Sequence, residues 1–164
     1  MWLVHETGLY TLKRILQEGE IKPSGKNNEI YMSVLFDDVQ IVGKGEADDV
    51  LIIFPIDTLE KYNPLHWSPD WFGEYKKGVS VKYDKSKSAK ENVDIWNSIY
   101  HSTNTKVQDY IYKFKSHNEV VFNKSIPISE VAYIYVRKSV NPKFEIPNRV
   151  DTKQKLNKLI YRPS

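Results

Sequence analysis

The spacing of apolar and polar positions changes several times along the chain, and each change marks an element. Trp2-Leu3-Val4 is a short apolar run closed by the polar triplet His5-Glu6-Thr7, which reads as a first strand with a polar end. Leu9, Leu12, Ile15 and Leu16 then recur at helical spacing, so an amphipathic helix is predicted over 8–18 with Gly19 as its C-terminal cap. An extended piece at 21–23, a turn cluster at 24–28 and a second strand at 29–33 follow. Val50-Leu51-Ile52-Ile53-Phe54 is continuously apolar, which suits a central strand buried on both faces.

From Pro55 to about Ser88 the pattern breaks up. Prolines, glycines and an aromatic group running from His66 to Tyr75 predict a loop-rich stretch, with strand-like alternation only over 79–83. Helical spacing returns at 89–100, through Val93, Trp96 and Tyr100, and at 106–115, through Val107, Ile111 and Phe114. Strands are predicted at 119–122 and 131–136. The tail reads as a helix capped by Asp151, with Leu156, Leu159 and Ile160 inward. Strands and helices do not alternate regularly, so the expectation is one α+β domain over 1–164 with a mixed or largely antiparallel sheet and flanking helices.

Composition narrows the function classes. At 164 residues and 40 % hydrophobic the chain can bury a substantial core. The absence of cysteine excludes disulfides and thiolate metal sites. No apolar run approaches the roughly 20 residues of a membrane span, and the strand-like start leaves no room for a signal peptide, so a cytoplasmic protein without a membrane partner is expected. A net charge of +3 permits a polyanionic partner without requiring one. The eight Lys or Arg residues between Arg137 and Arg162 suit either a phosphate-contacting patch or a solvated tail. The aromatics from Trp67 to Tyr75 suit either base stacking or the cover of a core edge.

Common catalytic motifs are missing. His5-Glu6 opens like a zinc-protease HExxH helix, but Leu9 stands where the second histidine belongs, and no metal site is expected. Ser24-Gly25-Lys26 lacks the upstream glycine of a phosphate loop, and there is no GxSxG.

Three polar positions remain in strand contexts: His5-Glu6-Thr7, Tyr31 in Ile-Tyr-Met-Ser, and Glu119 opening Val-Val-Phe. A carboxylate at the head of an apolar strand is costly unless a donor or cation compensates it. The ordered set resembles the His-Tyr-Glu group of the ADP-ribosyltransferase superfamily, shared by diphtheria toxin and the poly(ADP-ribose) polymerases. The resemblance rests on Trp2-Leu3-Val4-His5-Glu6-Thr7, on Leu12-Lys13-Arg14-Ile15-Leu16-Gln17-Glu18-Gly19, on Ile30-Tyr31 and on Asn118-Glu119, which follows Tyr31 by 88 positions. It covers residues 1 to about 36 and 116 to 136. The opening helix also resembles that of DarT-type enzymes, which attach ADP-ribose to DNA bases.

The resemblance implies an ADP-ribosyltransferase-like fold with a split sheet, NAD as co-substrate without a metal, and mono-ADP-ribosyl transfer to a protein or a nucleic-acid base. It assigns Glu119, His5 and Tyr31 to catalysis. Glu119 would bond the nicotinamide-ribose 2′-hydroxyl and stabilise the positive charge developing on that ribose, His5 would bond the adenosine ribose, and Tyr31 would stack on nicotinamide. Thr7 and the backbone of Glu6 would hold the carboxamide, with Ser33 and Phe36 completing the NAD-binding set. Two positions depart from the pattern: the family usually has glycine at Glu6, and commonly a second tyrosine at Val42. These departures favour an alternative, a non-catalytic module of the same fold that binds NAD, ADP-ribose or nucleic acid. His117 stands where arginine-modifying members carry an acidic residue or glutamine, which argues against arginine as acceptor.

Overall fold

Strand β1 (Trp2–Thr7) lies inside the sheet, and its neighbours are recruited from distant parts of the chain. A computed structural model describes residues 1–35, 50–68, 80–100, 119–137 and 159–162. In chain order β1 is followed by helix α1 (Leu9–Glu18), β2 (Glu20–Ile21), β3 (Ile30–Leu35), β4 (Val50–Pro55), α2 (Thr58–Tyr62) and β5 (His66–Ser68). Then come β6 (Val81–Lys82), α3 (Ala89–Tyr100), β7 (Glu119–Phe122), β8 (Ile126–Pro127), a 3-10 turn at Ile128–Glu130, β9 (Tyr133–Arg137) and β10 (Leu159–Arg162).

Eight strands form one sheet in the order β10-β9-β4-β1-β3-β7-β5-β6, and β2 pairs with β8 beside it. All pairings are antiparallel except β9 with β10, so the fold is α+β with a mostly antiparallel sheet. Strand β4 is buried on both faces, as its continuous apolar run requires: Val50, Ile52 and Phe54 join the main core, while Leu51 and Ile53 join a second cluster with Val4.

Helices α1, α2 and α3 all contribute to the main core. Leu12, Ile15 and Leu16 of α1, Leu59 of α2, and Val93, Trp96 and Tyr100 of α3 pack with Leu3, Ile30, Met32, Val34, Val120 and Phe122 of the sheet. Gly19 ends α1 in the left-handed conformation at φ 81°, and its N–H donates to the Ile15 carbonyl at 2.8 Å. On the opposite face Trp2 meets Tyr133 edge-on, with ring centroids 5.5 Å apart.

Two expectations change, and one open alternative is decided in favour of the core. Residues 159–162 form a strand, parallel to β9, rather than the end of a helix. Leu-Ile-Tyr-Arg is rich in residues that favour strands, and a short apolar pair satisfies helical and extended patterns alike. The stretch after Pro55 holds α2 and β5 rather than loop alone. Trp67 is fully buried and stacks on Trp96 at 5.8 Å with the planes 7° apart, so its ring belongs to the core and cannot receive a base. The predicted helix at 106–115 and the aromatics from Trp71 to Tyr75 lie outside the described residues, as do most of the basic residues of the tail. No helix among the described residues is long and apolar enough to cross a membrane.

Candidate functional site

The three polar strand positions lie on three neighbouring strands. His5 is on β1, Tyr31 on β3 and Glu119 on β7, and the sheet runs β1-β3-β7 without interruption of order. What distinguishes the region is where one ladder stops. Pairing of β1 with β3 runs from Trp2↔Leu35 to Val4↔Ser33 and ends there. Strand β1 continues on its other side, pairing with β4 as far as Thr7↔Val50, while β3 continues with β7 from Ser33↔Glu119 to Ile30↔Phe122. The sheet therefore opens between His5–Thr7 and Ile30–Met32, and each strand turns one backbone edge toward the opening.

A side chain spans the opening at its apex. His5 Nδ1 lies 2.9 Å from the Tyr31 carbonyl oxygen, which is where a strand partner would otherwise bond. A carbonyl only accepts, so Nδ1 carries the hydrogen. Withdrawal from water lowers the His5 pKa, and the bond to Tyr31 opposes that shift without cancelling it. The ring is thus held neutral with Nε2 as a lone-pair acceptor, the form suited to receive a hydrogen bond from a sugar hydroxyl.

Alternation assigns the side chains to two faces. His5 and Thr7 alternate with Leu3 and lie on the main-core side, opposite Ile52 and Val50 of β4. Glu6 shares the other face with Val4 and Leu51. Tyr31, Ser33 and Glu119 lie on that same second face, because Ile30, Met32, Val34, Val120 and Phe122 occupy the core side of their strands. His5 and Thr7 thus lie on the face opposite Tyr31, Ser33 and Glu119, and the bond from His5 Nδ1 to the Tyr31 backbone carbonyl links the two groups.

Tyr31 is oriented by a neighbour that sequence reading passes over. Its hydroxyl donates to Glu29 Oε2 at 2.7 Å. Burial, then the bond to Glu29, raises its pKa, and the charges of Glu29 and Glu119 add to the shift, which brings the Glu119 carboxylate into electrostatic range of the phenol. Strand register also sets Glu119 between two serines, Ser33 on β3 and Ser68 on β5. Ser68 is buried, and with His66 it forms the polar-aromatic-polar triplet His66-Trp67-Ser68. With one apolar residue between two polar ones, that alternation is too short to mark β5 in the sequence.

Phe36, Val42, His117 and Asn118 lie outside the described residues. Among the described residues no three His, Asp or Glu side chains gather where they could hold a metal ion. No protein-family model matches the chain, and none of the curated proteins matches it.

Proposed function

We propose that the chain is an ADP-ribosyltransferase-like domain that cleaves NAD at the nicotinamide–ribose bond and transfers ADP-ribose to an acceptor. The observation that carries this reading is the opening of the sheet between β1 and β3, with a neutral His5 at its apex and Tyr31 and Glu119 on the adjoining strands. Bound in the opening, NAD supplies a ribose whose carbon becomes positively charged as nicotinamide departs. The Glu119 carboxylate is fixed at the head of β7, where it stabilises that charge and accepts from the ribose 2′-hydroxyl. Tyr31, held by Glu29, offers a ring of fixed orientation against which nicotinamide stacks. His5 Nε2 accepts from the second ribose, and the released edge of β1 at Glu6 and Thr7 meets the carboxamide with backbone donors and acceptors.

Release of nicotinamide from labelled NAD tests the assignment. Glu119→Gln keeps the size of the side chain and removes its charge, and it lowers the turnover rate by about 10²–10³-fold. Absence of release and transfer in the wild-type chain, or equal rates in Glu119→Gln, would reject the reading. One observation favours a second reading: Glu6 brings a carboxylate to the face of the opening that holds Tyr31. NAD binding by calorimetry without nicotinamide release identifies a non-catalytic module instead.

A further inference from the structure

The bond between Tyr31 and Glu29 does more than orient a ring. Glu29 closes a tight turn: its N–H donates to the Ser24 carbonyl and its own carbonyl accepts from the Ser24 N–H, both at 3.1 Å, while Gly25 and Asn28 between them take φ of 75° and 54°. The backbone of Glu29 is thereby fixed two positions before Tyr31, and residues two apart on an extended chain share a face. Glu29 Oε2 accepts from the Tyr31 hydroxyl at 2.7 Å, and the Asn27 amide donates to the same hydroxyl oxygen at 3.5 Å. The phenol hydrogen is committed to a carboxylate.

That carboxylate acts without a counter-ion. Among the described residues no cationic side chain forms an ion pair with Glu29. A phenol that gives its hydrogen to an anion shares in the negative charge, and the face of its ring attracts cations more strongly. Burial, then the Glu29 bond, raises the Tyr31 pKa, and the further contribution of Glu119 places a second carboxylate within electrostatic range of the ring. A cation stacked on Tyr31 therefore meets an electron-rich face. The nicotinamide ring of NAD is such a cation, a pyridinium, whereas the ring of NADH and that of free nicotinamide are neutral.

We propose that Glu29, acting through Tyr31, sets the specificity of the site for a positively charged nicotinamide ring and holds the substrate more tightly than the departing product. The inference rests on the NAD reading above. When the bond from ribose C1′ to the nicotinamide nitrogen breaks, its electron pair passes to that nitrogen and the ring becomes neutral, while the positive charge moves to the ribose. The ring then loses its attraction to Tyr31, and nicotinamide is free to leave. Glu29 is a positioning residue in this scheme, since it touches Tyr31 and not the substrate. Its contribution belongs to the bound ground state, so it acts on affinity and not on the rate of bond cleavage.

Nicotinamide release from labelled NAD, with NADH as the competing ligand, tests this in Glu29→Gln, which keeps an oxygen acceptor for the Tyr31 hydroxyl and removes the charge. KM for NAD rises about fivefold, the inhibition constant of NADH keeps its wild-type value, and kcat does not fall. Tyr31→Phe keeps the ring and breaks its link to the carboxylate. There the preference for NAD over NADH drops to the level of Glu29→Gln, and the double variant lowers it no further. Release of nicotinamide with an unchanged preference in Glu29→Gln, an equal loss for both ligands, or a fall in kcat at unchanged KM overturns this inference and leaves the proposed function standing. If the wild-type chain releases no nicotinamide, the proposed function fails, and calorimetry with NAD and NADH decides the inference separately. A preference for NAD that Glu29→Gln abolishes upholds charge selection in a binding module, and binding of neither ligand overturns it.

Discussion

His5 meets two requirements with one ring: it closes the hydrogen-bonding gap where the β1–β3 ladder stops, and it stays uncharged among main-core residues. Both depend on the hydrogen at Nδ1. The folded chain holds His5 neutral to a lower pH than the unfolded chain, whose histidine titrates near 6.5. Between the folded midpoint and 6.5 the unfolded state binds more protons, so stability rises with pH through that window and the contribution is complete above it. Two measurements check this. The His5 imidazole resonance titrates below 6.5 in NMR spectra of the folded protein. The loss of denaturant stability between pH 7 and pH 5 shrinks in His5→Asn, whose amide can donate to the Tyr31 carbonyl but cannot take up a proton. A midpoint at or above the unperturbed value would mean that the ring is charged and that Nε2 donates rather than accepts.

Helix α1 anchors the chain that leaves the polar end of β1. One residue separates it from the end of β1, and it buries Leu12, Ile15 and Leu16 in the main core. Its end is fixed by Gly19, whose φ of 81° a side chain resists, and whose carbonyl accepts from the N–H of Ile128 at 2.9 Å, at the start of the 3-10 turn. Gly19→Ala therefore costs about 1–2 kcal/mol in urea denaturation. The helix was legible because period and cap agree at adjacent positions, and β4 because only a doubly buried strand explains five consecutive apolar residues. Strand β5 was hidden because a single apolar residue, Trp67, stands between His66 and Ser68, too short a pattern to separate from an aromatic loop. Strand β10 is masked in the sequence because Leu159 and Ile160 also complete a helical stripe. In the site, the family resemblance brought His5, Tyr31 and Glu119 forward. The opening between their strands depends on where a long-range ladder ends, which no local pattern encodes, and the placement of Ser68 and His66 on the face of Glu119 likewise follows only from the register.

Across the whole molecule the sheet divides its work by position. The opening and the polar face occupy β1, β3, β7 and β5, whereas β9 and β10 form the far margin, with β4 between. Strand β10 pairs with β9 through four register positions, from Leu159↔Ile134 to Arg162↔Arg137. Removing residues 159–164 strips β9 of that partner and leaves an unpaired edge, which lowers stability and invites association with other chains. At about 1 kcal/mol for each ladder hydrogen bond lost, the cost is about 2–4 kcal/mol, read as a lower urea midpoint with an increase in oligomers by light scattering. The core strand β4, buried on both faces, separates that margin from His5 and buffers the site against the loss. On the function proposed above, NAD affinity of the truncated chain, measured below its unfolding transition, therefore stays at the wild-type value. A fall in affinity that tracks the truncation while the chain remains folded would show instead that the opening is held by the sheet as a whole, and that the ladder's stopping point after Val4↔Ser33 is set from the far margin rather than by His5 and the residues around it.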